Sequence, residues 1–227
     1  MPKIYLSPST QEYNEFINGG SEEYHMNLLA DALEPYLIAS GIEFDRNTPE
    51  MTARSSIEQA NSIGGQDLYL ALHSNASPEE FAGMLQGPDV YYNPARPESR
   101  RAAELIADEL RKIYPQPQLV DVRPTNYLGE VLRPNAPAVL VEVAYHDNPE
   151  DAAWIVDNTN LIAQALSNAV DEFLGIAQPT SAPAENSETV PASANVSEAP
   201  DNAENAENPH GGATYRRINP RFNRGYN

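Results

Sequence analysis

A short apolar run that ends on a histidine constrains this chain more than any other stretch. Residues 67–76 read Asp-Leu-Tyr-Leu-Ala-Leu-His-Ser-Asn-Ala. Between Leu68 and Leu72 apolar and polar positions do not alternate, so both faces of the segment need cover. Gly64 and Gly65 mark a loop just upstream. A segment of this kind suits a central strand with helices on both sides of its sheet. The run stops at His73, Ser74 and Asn75. In open α/β sheets the carboxyl ends of the strands border the ligand crevice. His73 is therefore a candidate metal ligand or acid–base group, unless it merely caps the strand.

Strand and helix signals alternate around this run. Residues 3–7, 42–46, 89–92 and 138–145 read as further strands. Helices are expected over 22–40, 52–63, 97–113, 148–157 and 160–174. The first carries Met26, Leu29, Leu33, Tyr36 and Leu37 on one stripe and is stopped by Gly41. Asn148 and Pro149 form a helix-start pair. The alternation predicts an α/β fold: a mostly parallel twisted sheet with helices on both faces.

Composition divides the chain near Ala177. Residues 178–227 are rich in Ala, Pro, Ser, Asn and Glu, with little to bury, and are expected to form a disordered C-terminal tail. The tail ends in a basic and aromatic segment with Tyr215, Arg216, Arg217, Arg221, Phe222, Arg224 and Tyr226. Residues 1–177 form the expected folded domain. They hold ten Lys and Arg against 27 Asp and Glu, a net −17, so the acidity belongs to the folded part. The whole chain, at −19, is a poor match for nucleic acid as a partner. It has no cysteine, which excludes disulfides, thiolate metal sites and a thiol nucleophile. No apolar run is long enough for a membrane span, and the start lacks a signal-peptide pattern. Synthesis in the cytoplasm without a standard export signal is the expectation.

The His73 strand, the Glu142 strand and the turn after the first strand converge on one end of the expected sheet, with the start of the first helix nearby. Glu142 lies inside the most apolar strand, between Val141 and Val143, where a lone charge is costly. It is either salt-bridged or tuned for proton transfer. The turn after the first strand brings Gln11 or Glu12. Glu22 and Glu23 open the first helix, where they either favour its dipole or point into the crevice. A histidine with carboxylates and amides, without thiolate, suits a catalytic zinc site.

Together these residues resemble the zinc-dependent N-acetylmuramoyl-L-alanine amidases of the third amidase family, which cut bacterial cell wall. The resemblance covers about residues 3–175. It rests on Ile4-Tyr-Leu-Ser-Pro, on Glu23-Tyr-His-Met-Asn at the helix start, and on Ala60-Asn with Leu70-Ala-Leu-His-Ser-Asn-Ala. The final block is Leu132-Arg with Pro137-Ala-Val-Leu-Val-Glu-Val-Ala-Tyr-His-Asp-Asn-Pro-Glu-Asp. It implies Zn2+ as cofactor, with Glu23 and His73 as ligands and Glu142 as the catalytic acid–base group. The family's first metal histidine follows strand one. Here that turn reads Ser-Pro-Ser-Thr-Gln-Glu, so Gln11 is the expected third ligand, with Glu12 and His146 as alternatives.

The activity implied is hydrolysis of the amide between N-acetylmuramic acid and L-alanine of peptidoglycan by zinc-activated water, reached in the wall after release or lysis. Two alternatives stay open. One is a non-catalytic module that binds cell-wall glycopeptide. The other is a zinc hydrolase acting on another amide.

Overall fold

The structure, a computed structural model, describes residues 1–177. The expected tail, 178–227, lies outside the described residues. Six strands form one sheet: β1 (Lys3–Pro8), β2 (Glu43–Arg46), β3 (Leu68–Asn75), β4 (Asp89–Tyr92), β5 (Asp121–Pro124) and β6 (Ala138–Tyr145). Their order is β2-β1-β3-β6-β4-β5. All neighbours are parallel except β4 and β6. The helices are α1 (Glu22–Ala39), α2 (Ala53–Ile63), α3 (Pro97–Ile113), α4 (Gly129–Leu132), α5 (Pro149–Asp157) and α6 (Thr159–Leu174). Among the described residues no helix is long and apolar enough to cross a membrane.

The sheet is covered on both sides, as its apolar central strands require. Side chains along a strand alternate between faces. One phase, with Ile4 and Leu6, then Leu68, Leu70 and Leu72, then Val139, Val141 and Val143, packs with apolar residues of α1, α3, α5 and α6 into the larger core. The other phase, with Tyr5, Tyr69, Ala71, Ala138 and Leu140, packs on Ile57 and Ala60 of α2 and Val131 of α4.

Two features differ from the sequence reading. β3 does not stop at residue 72; it runs to Asn75 because β6 keeps pairing with it, His73 opposite Glu142 and Asn75 opposite Tyr145 across a register shift. Segment 121–132 also carries an edge strand, β5, and the short helix α4. At four residues each, neither is long enough to display a period.

Candidate active site

The second phase of the sheet changes character toward the carboxyl ends of its parallel strands. Tyr5 is followed by Ser7, Ala71 by His73, and Leu140 by Glu142, all on the face that α2 and α4 cover. Ser7, His73 and Glu142 are nearly removed from solvent. On the neighbouring antiparallel strand Asp89 stands opposite Glu142 and pairs with Arg123 of β5 at 3.0 Å.

His73 is the hub. Its Nδ1 lies 2.8 Å from Oε1 of Glu22, and its Nε2 lies 2.9 Å from Oε2 of Glu130. Gln11 reaches the same point from the turn after β1. Its Nε2 sits 3.3 Å from Glu22 Oε1 and 3.4 Å from His73 Nδ1. Asn14 donates to Gln11 Oε1 at 3.1 Å and to Glu22 Oε2 at 2.6 Å. Glu130 is anchored from below: the hydroxyls of Ser7 and Tyr69 meet its Oε1 at 2.7 and 2.8 Å.

The site thus gathers two of the expected ligands, Gln11 and His73, beside the expected acid Glu142. The glutamate is different. Resemblance points to Glu23, but the carboxylate that meets His73 is that of Glu22. The helix phase explains why. Ser21 caps α1 by accepting from Tyr24 N at 3.1 Å, and the buried stripe runs Glu22, Met26, Leu29, Leu33, Leu37. Glu23 lies one position off that stripe, half-buried. The alternative third ligands are placed away. Glu12 is exposed. His146 turns its Nδ1 to the hydroxyl and carbonyl of Ser74, each at 3.0 Å, and stacks on Phe16. His25 contacts the Gly19 carbonyl at 2.9 Å.

The electrostatics follow from burial and proximity. Burial pushes the Glu22 carboxyl upward, but the hydrogen bond and charge of His73, with Asn14 and Ser9, outweigh it and hold it below the usual carboxylate range. Burial disfavours a charged His73, yet the two flanking carboxylates raise its pKa well above the ordinary imidazole value. Glu142 is pushed up to about 8, first by burial and then by the charges of Glu22, Asp89 and Glu130, against the pull of His73. Its Oε2 has no hydrogen-bond partner among the described residues. A carboxyl held near neutrality beside a polar cluster is suited to taking up and releasing a proton.

Among the described residues no group of three or more His, Cys, Asp or Glu side chains is arranged to hold a metal ion. The convergent set reaches three donors only by counting Gln11. Glu130 and Asn14 escaped the sequence reading. Glu130 carries a faint signal, an acid set directly before Val131 and Leu132; Asn14 carries none.

Comparison with known proteins bears on the fold and the family. Among curated proteins, no sequence matches the chain. Among solved structures it is similar to the catalytic domain of CwlV, an N-acetylmuramoyl-L-alanine amidase from Bacillus (Paenibacillus) polymyxa var. colistinus. The identity is 18%, covering 78% of this chain and 100% of that one, with a TM-score of 0.67. It is also similar to the N-acetylmuramoyl-L-alanine amidase AmiC2 of Nostoc punctiforme, at 15% identity, 77% and 97% coverage and a TM-score of 0.67. An N-acetylmuramoyl-L-alanine amidase from Clostridium difficile 630 gives 15% identity, the same coverage and the same score. At such identities these likenesses speak for the fold. The family profile described as N-acetylmuramoyl-L-alanine amidase matches residues 10–172. That span contains Gln11, Glu22, His73, Glu130 and Glu142, and by it the chain belongs to the N-acetylmuramoyl-L-alanine amidase family.

Proposed function

We propose that this chain hydrolyses the amide joining N-acetylmuramic acid to L-alanine in peptidoglycan, using a zinc ion held by Gln11, Glu22 and His73 and a proton carried by Glu142. The enzyme meets this substrate in the cell wall after release or lysis. One observation carries the reading: donors from three separate elements close on one point beside a buried carboxyl with a free oxygen. Nδ1 of His73, Oε1 of Glu22 and the amide end of Gln11, measured at Nε2, stand 2.8, 3.3 and 3.4 Å apart. A tetrahedral zinc with ligand bonds of about 2.0–2.1 Å keeps its donors roughly 3.3 Å apart, so the residues present fit the ion. With Nδ1 of His73 protonated, the amide nitrogen of Gln11 sets one donor against another. A half-turn of the amide would bring Oε1 in and offer an oxygen instead, in exchange for the hydrogen bond that Asn14 now donates to it.

When bound, zinc supplies Lewis acidity, polarising the scissile carbonyl and lowering the pKa of water. Gln11, Glu22 and His73 would hold it with one negative charge among them, which requires Nδ1 of His73 to be free of its proton. Glu142 accepts the proton of the attacking water and passes it to the leaving nitrogen. The apolar strand around Glu142 keeps that carboxyl from being solvated, which holds its pKa in the useful range. A module that only gripped the wall has no use for such a group. A substrate panel separates muramoyl amides from other amides.

The test is incubation of the purified chain with muropeptides, with and without a chelator, and mass spectrometry of the products. Free peptide stems are expected, lost on chelation and restored by added zinc. Absence of release, or release indifferent to the chelator, overturns the reading.

A further inference from the structure

Glu130 has no place in the ligand set or in the proton path, yet it is buried at 6% exposure and spends both oxygens. We propose that Glu130 is a positioning residue: its carboxylate takes the Nε2–H of His73 and so fixes the imidazole with Nδ1 facing Gln11 and Glu22. This inference rests on the zinc reading above.

A neutral imidazole has one N–H and one lone pair, and the hydrogen bond at one nitrogen decides which side is left to coordinate. Here the two sides are not equivalent. Nδ1 faces Glu22 and Gln11, the convergent donors. Nε2 faces Glu130 at 2.9 Å. Glu130 is itself held on the far side from His73, which separates a positioning carboxylate from a mobile one. Ser7 and Tyr69 donate to Oε1 at 2.7 and 2.8 Å, and their hydroxyls are 2.9 Å apart. The Tyr69 ring stacks on Tyr5 with centroids 5.2 Å apart and planes 9° apart. The Tyr5 hydroxyl in turn donates to Gln59 Oε1 of α2 at 2.5 Å. The amide of Asn47 reaches Ser7 Oγ at 3.5 Å, Ser56 Oγ at 3.0 Å and the Pro8 carbonyl at 3.0 Å. Glu130 therefore joins the hub histidine to Ser7 of β1 and Tyr69 of β3, which Asn47 and Tyr5 connect in turn to α2. A carboxylate on a four-residue helix would otherwise have little to hold it.

The experiment uses the full chain. Zinc affinity is measured by competition with a chromophoric chelator for wild type and Glu130→Gln. The nitrogen of His73 that carries the proton is read from long-range ¹⁵N couplings in the zinc-loaded protein. Wild type is expected to keep its proton on Nε2. Glu130→Gln is expected to lose about 10- to 100-fold in zinc affinity and to show a mixed or broadened imidazole signature. Zinc on Nε2 of wild type overturns the role of Glu130 alone, as does an unchanged affinity in the variant. The wild-type spectrum decides the matter even where the variant does not fold. A wild-type chain that takes up no zinc overturns the proposed function, and this role falls with it.

Discussion

The two faces of the central sheet are built from the same strands and are buried alike, yet they do different work. On one face the three central strands carry an apolar series: Ile4 and Leu6, then Leu68, Leu70 and Leu72, then Val139, Val141 and Val143 are all fully buried. On the other, the same strands go from Tyr5 to Ser7, from Ala71 to His73 and from Leu140 to Glu142. Removing apolar surface from water stabilises a fold without demanding a particular geometry. Buried polar groups must be paired, and that requirement fixes their positions. The first face thus supplies stability and tolerates substitution by size. The second supplies geometry and includes Oε2 of Glu142, which has no hydrogen-bond partner among the described residues.

Substitution on each face tests this division. The largest effect is expected from Glu142→Gln, which keeps shape and removes the proposed proton carrier. Release of peptide stems should fall by about 10²- to 10⁴-fold while the chain remains folded by circular dichroism. Leu70→Ala acts on the opposite face. It should cost about 2–5 kcal/mol in urea denaturation and leave turnover per folded molecule unchanged. A loss of turnover there would break the contrast.

A pH series on chelated protein sharpens it. Burial raises Glu142 from the ordinary 4.5 to about 8, so the folded state keeps a proton that the unfolded chain releases near 4.5. The resulting stability is complete below that value and drains as pH rises toward 8. Glu142→Gln stays neutral throughout. The melting temperature of the variant minus that of wild type should therefore rise by several degrees between about pH 5 and pH 8. The contributions of Glu22 and His73 are common to both proteins in first approximation and cancel. The smallest effect belongs to Tyr69→Phe, which removes one hydroxyl from Glu130 and Ser7. About 1 kcal/mol of stability should be lost in the same denaturation assay.

Much of this arrangement was legible in the sequence. The apolar segments over 68–72 and 138–145 announced the central strands because a doubly covered strand leaves no polar face. His73 and Glu142 stood out for the same reason, as polar groups where an apolar run should continue or end. The choice between Glu22 and Glu23 was legible too, though by phase rather than motif. Extending the stripe of Met26, Leu29, Leu33 and Leu37 one turn back lands on Glu22. Glu130 was barely legible. Its position comes from a four-residue helix that has no period, and its partners Ser7, Tyr69 and His73 lie 123, 61 and 57 residues away in the chain. Asn14 belongs to an irregular turn whose path only the folded chain defines.

The reversal of β4 against β6 has a consequence for how the rim can vary. β3 leaves the sheet at the end where β4 enters it, so the link between them, residues 76–88, never has to cross the molecule. It is tied down at that end. The Asp147 carboxylate accepts from Ser77 N at 2.9 Å and from Gly83 N at 2.8 Å, and Asp151 accepts from Gly87 N at 2.8 Å. Lengthening or trimming the link between those tethers leaves every strand pairing intact. The link can therefore change in length at the end of the sheet that carries His73 and Glu142 while the groups around His73 stay where they are.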